Sequence, residues 1–227
     1  MGIHRSIINE PGARDRQVGD RIALSETEAR HARRVKRLAD GDPIELLDGA
    51  GWRATAELEG QGAILVAFSI EPTPDPAIEI ACPAPKGDRL AQMIDQLSQC
   101  GAAAWRPLQT ERSVVEPRQN KLDRLHRIAD EAMKQCGRAH RLEILEPLAL
   151  ADLLARPHER RLLADAGGDA APTELSGQVQ VLLGPEGGLT DAELDACRDA
   201  GAVPTHLGPH VMRIETAAVA AAVRLRA

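Results

Sequence analysis

A short apolar segment followed by a glycine-rich turn constrains the fold of this chain more than any other feature. Residues 179–183 read Val-Gln-Val-Leu-Leu, long enough for a buried strand and too short for a helix. Residues 184–188, Gly-Pro-Glu-Gly-Gly, cannot continue the strand, because proline lacks an amide donor and glycine favours tight turns. Thr190 and Glu193 then match the capping box that starts a helix. This order predicts a parallel α/β sheet with a ligand site beyond the strand end.

The glycine turn matches neither of the two common nucleotide-binding motifs. No Lys-Ser or Lys-Thr pair follows the glycines, which excludes a P-loop, and their spacing differs from the dinucleotide fingerprint. From this segment alone, a tight connection between strand and helix that binds no ligand remains an alternative.

A proline-rich segment, residues 71–76, divides the chain and predicts a short extended linker. Residues 1–72 predict a small β-rich domain, with strands at 5–9, 21–24, 42–48, 52–59 and 63–70 and a helix starting at Ser25. Residues 77–227 alternate between strand and helix patterns, which predicts a mainly parallel α/β domain. Its predicted strands are 78–82, 103–108, 160–164 and 179–183, its helices 88–100, 120–136, one from Thr190 and 211–225, and 167–177 is a loop.

The predicted helix after Ser25 carries basic residues on one side. A capping box formed by Ser25 and Glu28 starts it, and an apolar stripe docks it on the strands. The stripe consists of Ala29, Ala32, Val35 and Leu38. A net charge of −6 disfavours nucleic acid as a partner, but phosphate binding depends on the local field. RNA contact and an ordinary solvated surface are therefore both open. The predicted RNA-binding residues are Arg5, Arg30, Arg33, Arg34, Lys36, Arg37 and Lys86.

The predicted helix at 211–225 is apolar on every side over residues 217–223. This pattern suits a helix that is buried all round, either by passing through the fold or by packing on another subunit. The run is far shorter than the ~20 residues that span a bilayer, and the chain start lacks a signal-peptide apolar region. The four cysteines form no Cys-x-x-Cys pair, so no metal is predicted. Together these features predict a cytoplasmic protein with reduced thiols.

Six segments in this order resemble the RsmE family of bacterial ribosomal RNA methyltransferases, which belongs to the knotted SPOUT superfamily. They are Lys86-Gly-Asp-Arg89, Thr110-Glu-Arg-Ser-Val-Val115, Gln135-Cys-Gly-Arg138, Gly184-Pro-Glu-Gly-Gly-Leu189, Leu207-Gly-Pro209 and His210-Val-Met-Arg-Ile-Glu-Thr-Ala-Ala218. The resemblance covers nearly the whole chain. It departs from the family pattern at His210, where an arginine is expected, and at Ile214, where a threonine is expected.

The resemblance implies a trefoil-knot α/β methyltransferase domain preceded by a PUA-like RNA-binding β-barrel. It also implies transfer of a methyl group from S-adenosylmethionine to N3 of a uridine in 16S ribosomal RNA, free or in the small ribosomal subunit, by a homodimer. By position, the implied cofactor-binding residues are Leu183, Gly184, Gly187, Gly188, Leu207, Gly208, Met212, Arg213 and Thr216.

The chemistry favours an arginine as the main catalytic group. Uracil N3 carries a proton, so attack on a methyl group requires an anion, which a fixed positive charge stabilises. Arg213 is the first candidate, with Arg112 and Arg138 as alternatives; a structural ion pair is the competing role for each. Glu215 is either a base or an ion-pair partner that holds Arg213.

Two other functions remain open. A SPOUT ribose 2′-O-methyltransferase shares a similar glycine turn, but its last helix usually begins with an Asn-rich segment, where this chain has residues 213–217, Arg-Ile-Glu-Thr-Ala. A non-catalytic RNA-binding or ribosome-assembly factor could keep the same fold, and the departures at His210 and Ile214 favour it. Binding of S-adenosylmethionine separates this second alternative from an enzyme.

Overall fold

A computed structural model describes residues 3–9, 12–113 and 119–226. It forms two compact units: Met1–Thr73 with Met133–Arg141, and Pro74–Ala132 with Leu142–Ala227. The sequence assigned residues 133–141 to the second domain, whereas in the structure they pack with the first unit. Val114 and Val115 of the second family motif lie outside the described residues.

The first unit contains a five-stranded sheet in the order β1-β3-β4-β5-β2. The strands are β1 (His4–Ile7), β2 (Arg21–Ala23), β3 (Pro43–Leu47), β4 (Trp52–Glu59) and β5 (Gly62–Ile70), with a 3₁₀ turn at Ala13–Asp15. All five predicted strands are present. Along β4, buried and accessible residues alternate, because successive side chains of a strand point to opposite faces. Ile22, Ile44 and Trp52 are fully buried in the resulting core.

Helix α1 (Glu26–Arg30) follows the predicted start at Ser25 and continues as one π-helical turn, His31–Val35. Ser25 accepts a hydrogen bond from the Glu28 amide, but the Glu28 carboxylate binds Lys134 Nζ at 3.0 Å, so that half of the predicted capping box is wrong. Val35 is 64% exposed rather than part of the buried stripe. The wider π turn changes the residue spacing, which turns Val35 away from the core.

The second unit contains a seven-stranded sheet in the order β12-β10-β11-β6-β7-β8, with β9 paired to β7. The strands are β6 (Ala77–Cys82), β7 (Ala104–Gln109), β8 (Glu143–Ile144), β9 (Leu148–Ala149), β10 (Arg160–Ala170), β11 (Gln178–Leu182) and β12 (Ala202–His206). Every strand pair recorded in this sheet is parallel, which confirms the predicted α/β class.

Helices cover both faces of the parallel sheet. They are α2 (Arg89–Gln99), α3 (Gln119–Cys136), α4 (Leu150–Leu154), α5 (Asp191–Asp199) and α6 (Ile214–Arg224). Ile78 and Ile80 of β6 pack into a core with residues of α2, α3 and α6, whereas Ala81 packs into a second core with α4 and α5. The almost entirely apolar composition of β6, whose one polar residue is Glu79, follows from this arrangement, since both of its faces are covered.

Part of the sheet differs from the sequence prediction. Residues 167–170, predicted as loop, extend β10, and its pairing with β12 is interrupted between Ala164 and Asp169. Strand β12, which was not predicted, contains Pro204; because β12 is an edge strand, the missing amide donor is tolerated. At Gly168, a Cβ atom would lie 2.4 Å from the Thr205 amide nitrogen, so only glycine permits this close backbone approach.

Helix α6 begins three residues later than predicted, because Arg213 has an extended backbone and serves as the N-cap. Ala218, Ala221 and Ala222 are buried, but Val223 is 53% exposed. The prediction that this helix is buried all round is therefore wrong for the single chain. Among the described residues, no helix is long and apolar enough to cross a membrane.

Candidate functional site

A cavity of about 360 Å³ lies beside β10 and beyond the ends of its two neighbours in the sheet, β11 and β12. Its lining comes from β10, from the segments that follow β11 and β12, and from the first turns of α5 and α6. The lining residues are Leu163, Ala164, Asp165, Ala166, Leu183, Gly184, Pro185, Glu186, Gly188, Leu189, Leu194, Leu207, Gly208, His210, Val211, Met212, Ile214 and Ala217. Parallel strands place their carboxyl ends at one edge of a sheet, where open α/β folds bind ligands.

The glycine turn is fixed at both ends. The Leu183 amide donates to Ala81 O at 2.9 Å, which extends the ladder between β11 and β6 by one hydrogen bond. The Gly188 amide donates to Pro185 O at 2.8 Å, and Gly188 has a φ of 72°, a left-handed conformation that favours glycine. Thr190 and Glu193 form the complete predicted capping box at the start of α5.

One carboxylate joins this turn to a distant loop. Glu193 Oε2 accepts a hydrogen bond from the Thr190 amide at 2.9 Å, and Glu193 Oε1 accepts one from the Glu111 amide at 2.8 Å. The neighbouring Arg112 donates from its guanidinium to Gly187 O at 2.8 Å. The structure thus brings Arg112, an alternative catalytic candidate, onto the glycine turn.

The predicted cofactor-binding residues fall into two groups. Leu183, Gly184, Gly188, Leu207, Gly208 and Met212 line the cavity. Of the residues that the structure describes, Gly187, Arg213 and Thr216 belong to the same segments but not to the lining. Sequence reasoning missed Leu163, Ala164, Asp165 and Ala166, because this part of β10 carries no ligand-binding motif and owes its place in the lining to sheet order alone.

An ion-pair cluster connects the start of α6 with the glycine turn. Arg89 lies 3.4 Å from Glu215 Oε1 and 3.8 Å from Glu186 Oε1. Glu215 is therefore held by Arg89, and the alternative in which it pairs with Arg213 is not what the structure shows. Arg213 itself is exposed. Arg89 lies in the motif at residues 86–89, so its presence was visible in the sequence but its partners were not.

The third catalytic candidate, Arg138, follows α3 and lies in Met133–Arg141 of the first compact unit. Its catalytic role, like those of Arg112 and Arg213, stays a prediction.

The candidate RNA-binding residues of the first unit differ in solvent exposure and in ion pairing. Arg30, Arg34, Lys36 and Arg37 are exposed. Arg33 instead pairs with Asp40 and donates to Leu38 O and Gly60 O, and Arg5 pairs with Glu45 and donates to Lys134 O and Gln135 O.

The contacts around Arg33 also affect its acidic partner. The pKa of the Asp40 carboxyl is lowered, mainly by the hydrogen bond from the Gly60 amide and secondly by the one from Arg33, since both stabilise its charged form. The basic segment ends at Arg37, whose φ of 60° is left-handed. Lys86, the candidate in the second unit, is exposed.

Comparison with known proteins links both parts of the chain to RNA modification. A model of an RNA methyltransferase domain matches residues 72–226, and a model of an RNA methyltransferase PUA domain matches residues 24–71. Ribosomal RNA small subunit methyltransferase E of a Synechocystis strain is 31% identical, covering 91% of this chain and 73% of that protein. The Bacillus subtilis protein of the same name is 28% identical and covers 86% of each chain.

Two solved structures are similar over nearly their whole length. Ribosomal RNA small subunit methyltransferase E from Neisseria gonorrhoeae, bound to S-adenosylmethionine, superposes with a TM-score of 0.86 at 26% identity and covers 97% of this chain and 95% of its own. A Legionella pneumophila protein in complex with the same cofactor gives a TM-score of 0.84 at 26% identity and covers 99% and 97%.

Proposed function

We propose a function from the premise that this chain belongs to the ribosomal RNA small subunit methyltransferase E family: it transfers the methyl group of S-adenosylmethionine to N3 of a uridine in 16S ribosomal RNA. The observation that carries the proposal is the cavity beside β10 and beyond the ends of β11 and β12, in a chain that matches a cofactor-bound relative over nearly its full length. We place the two functional domains at residues 1–72 and 77–227, with a PUA-like first domain.

The cavity suits this cofactor in size and lining. Its volume of about 360 Å³ lies within the range of roughly 300–1,000 Å³ for small-molecule pockets. Apolar residues such as Leu183, Leu207 and Met212 would pack on the adenosine, while Gly184 and Gly188 have no Cβ and so let the backbone approach it closely. When bound, S-adenosylmethionine supplies an activated methyl group, so the protein need only bind, align and stabilise charge.

The protein contributes charge stabilisation for the uracil. N3 becomes nucleophilic when its proton leaves, and a guanidinium near the ring oxygens favours the anion. Arg213, at the N-cap of α6, is proposed for this role. Arg112 is proposed to hold the glycine turn in place through its hydrogen bond to Gly187 O. Glu215 is proposed as an ion-pair partner of Arg89 that fixes the start of α6, rather than as the base.

The first unit is proposed to hold RNA through phosphate contacts, which position the substrate without reading its sequence. Replacing Arg34 and Lys36 together by alanine is expected to lower the slope of log affinity against log salt by about 1 to 2, since each lost contact removes ~0.7–0.9. The matched control replaces Arg14 and Arg21 by alanine. This double variant loses the same amount of positive charge, but from side chains that form ion pairs with Asp48 and Glu59. Equal slopes for both double variants would show that the segment is an ordinary solvated surface.

We propose that the chain forms a homodimer through α6 and that its last segment is threaded into a trefoil knot, as the family resemblance implies. The exposed Val223 supports a covered helix face in the assembly. Light scattering is expected to give about 49 kDa, twice the chain mass of 24.4 kDa. Val223→Asp is expected to shift the mass toward the monomer, with Arg224→Ala as control. A monomer for the unmodified protein at micromolar concentration would contradict this assembly.

The proposed reaction is tested with purified protein, labelled S-adenosylmethionine and small ribosomal subunits or free 16S ribosomal RNA, followed by nucleoside mass spectrometry. The expected product is 3-methyluridine, absent from the RNA of cells that lack the protein. A 2′-O-methylated nucleoside would instead support the ribose methyltransferase alternative. Failure to bind the cofactor would support the non-catalytic factor. The reaction takes place in the cytoplasm in this proposal, and it requires no metal ion.

A further inference from the structure

The cavity has an unequal charge distribution. Two carboxylates, Asp165 and Glu186, belong to its lining, and of the described lining residues none is lysine or arginine. Among the lining residues that the structure describes, His210 is the only other one with a titratable side chain. Two arginines outside the lining contact groups next to the cavity. Arg89 lies 3.8 Å from Glu186 Oε1, and Arg112 donates a hydrogen bond to Gly187 O.

Asp165 differs from Glu186 in what holds it. One carboxylate oxygen of Asp165 accepts a hydrogen bond from the Gly167 amide at 2.9 Å. This neutral donor fixes the side chain without cancelling its charge. No ion pair joins Asp165 to a cation within the described ranges, whereas Glu186 shares the Arg89 guanidinium. Asp165 is partly buried at the interruption of pairing between β10 and β12, where screening by water is weaker than on an open surface.

We propose that Asp165 makes the cavity select its ligand by charge, favouring the cofactor over the demethylated product. This inference rests on the proposed function. At neutral pH, S-adenosylmethionine carries a sulfonium, an ammonium and a carboxylate, for a net charge of +1. Loss of the methyl group removes the sulfonium charge and leaves a neutral product. A fixed negative charge attracts the first more strongly than the second, so Asp165 strengthens cofactor binding and promotes product exchange.

The test compares two dissociation constants in the full-length protein by isothermal titration, one for S-adenosylmethionine and one for S-adenosylhomocysteine. Asp165→Asn keeps an oxygen acceptor for the Gly167 amide and removes the charge. It is expected to lower the preference for the cofactor about three- to tenfold, the effect of one partly screened charge at several ångströms. The change should come from weaker cofactor binding with product binding nearly constant. Asp165→Ser, which is also uncharged and has a hydroxyl oxygen as acceptor, should lower the preference for the cofactor in the same way.

Asp169→Asn is the matched control, because Asp169 is exposed on the same strand and outside the cavity lining. This control variant should leave the ratio of the two dissociation constants, for S-adenosylmethionine and S-adenosylhomocysteine, unchanged. An analogue with a protonated amine in place of the sulfonium should, like the cofactor and unlike the product, bind more weakly to Asp165→Asn than to the unmodified protein.

The outcomes separate two failures. If the unmodified protein binds neither compound, the proposed function is wrong. If it binds both, and Asp165→Asn weakens both equally or neither, then Asp165 contacts a part common to the two ligands or none, and selection by charge is refuted.

Discussion

Arg213→Ala is expected to lower the rate of methyl transfer by about a hundred- to a thousandfold while cofactor affinity changes little. A preorganised charge contact that acts only on the way to the transition state contributes roughly 2.7–4 kcal/mol. Arg213 caps α6 one residue after Met212 of the cavity, and it does not belong to the described lining. Its removal should therefore reduce the rate of chemistry rather than binding of the cofactor.

Single-turnover rates at several pH values distinguish this role from a structural one. Higher pH should partly restore the variant, because hydroxide then generates the uridine anion that the arginine no longer stabilises. Arg224→Ala, at the exposed far end of the same helix, is the control and should retain full activity. Parallel loss of activity and cofactor binding, with no restoration at high pH, would assign Arg213 a structural role. Arg112 would then be the next candidate, since it already contacts the glycine turn.

Gly188→Val is expected to weaken S-adenosylmethionine binding by tenfold to a hundredfold or more. A Cβ at Gly188 meets no atom within 4 Å, so a valine side chain enters open space at the cavity that Gly188 lines. Overfilling a packed site costs about 1–3 kcal/mol, and each ~1.4 kcal/mol is a factor of ten. Isothermal titration measures the loss.

The strained backbone of this variant needs its own control. Valine in a left-handed conformation costs about 1–2 kcal/mol, which lowers the free energy of unfolding. Gly201→Val carries the same strain, because Gly201 has a φ of 78° and also has open space around its Cβ, but it follows α5 and does not line the cavity. Both variants should lose similar stability, and only Gly188→Val should lose the cofactor. Unchanged affinity in folded Gly188→Val would remove this turn from the binding site.

Local sequence patterns predicted those parts of the fold that depend on neighbouring residues. The glycine turn and the capping box at Thr190 involve residues a few positions apart, so the sequence contained their whole cause. Strands β8 and β9 have two residues each, too few to show a period. Strand β12 contains Pro204, which usually argues against a strand and is tolerated only because sheet order places β12 at an edge.

Long-range pairing explains what the sequence could not show about the candidate sites. Arg33 and Arg34 are adjacent and chemically identical, yet Arg33 is tied to Asp40 and Gly60 while Arg34 is exposed. Glu215 pairs with Arg89, 126 positions away, rather than with the nearby Arg213. Asp165 lines the cavity because β10 lies between β11 and β12, a fact of topology that no local motif encodes.

Hydrogen bonds from the Thr190 and Glu111 amides to the Glu193 carboxylate make the glycine turn and the loop at Glu111 parts of one energetic unit. A ligand that favours the observed placement of the turn must also favour that of the loop, because both share this carboxylate. Thermodynamic reciprocity then requires that a ligand of the loop and a ligand of the turn raise each other's affinity by the same factor. Titration of the cofactor in the presence and absence of substrate RNA tests this coupling, and equal cofactor affinities would show that RNA binding does not depend on the placement of the loop.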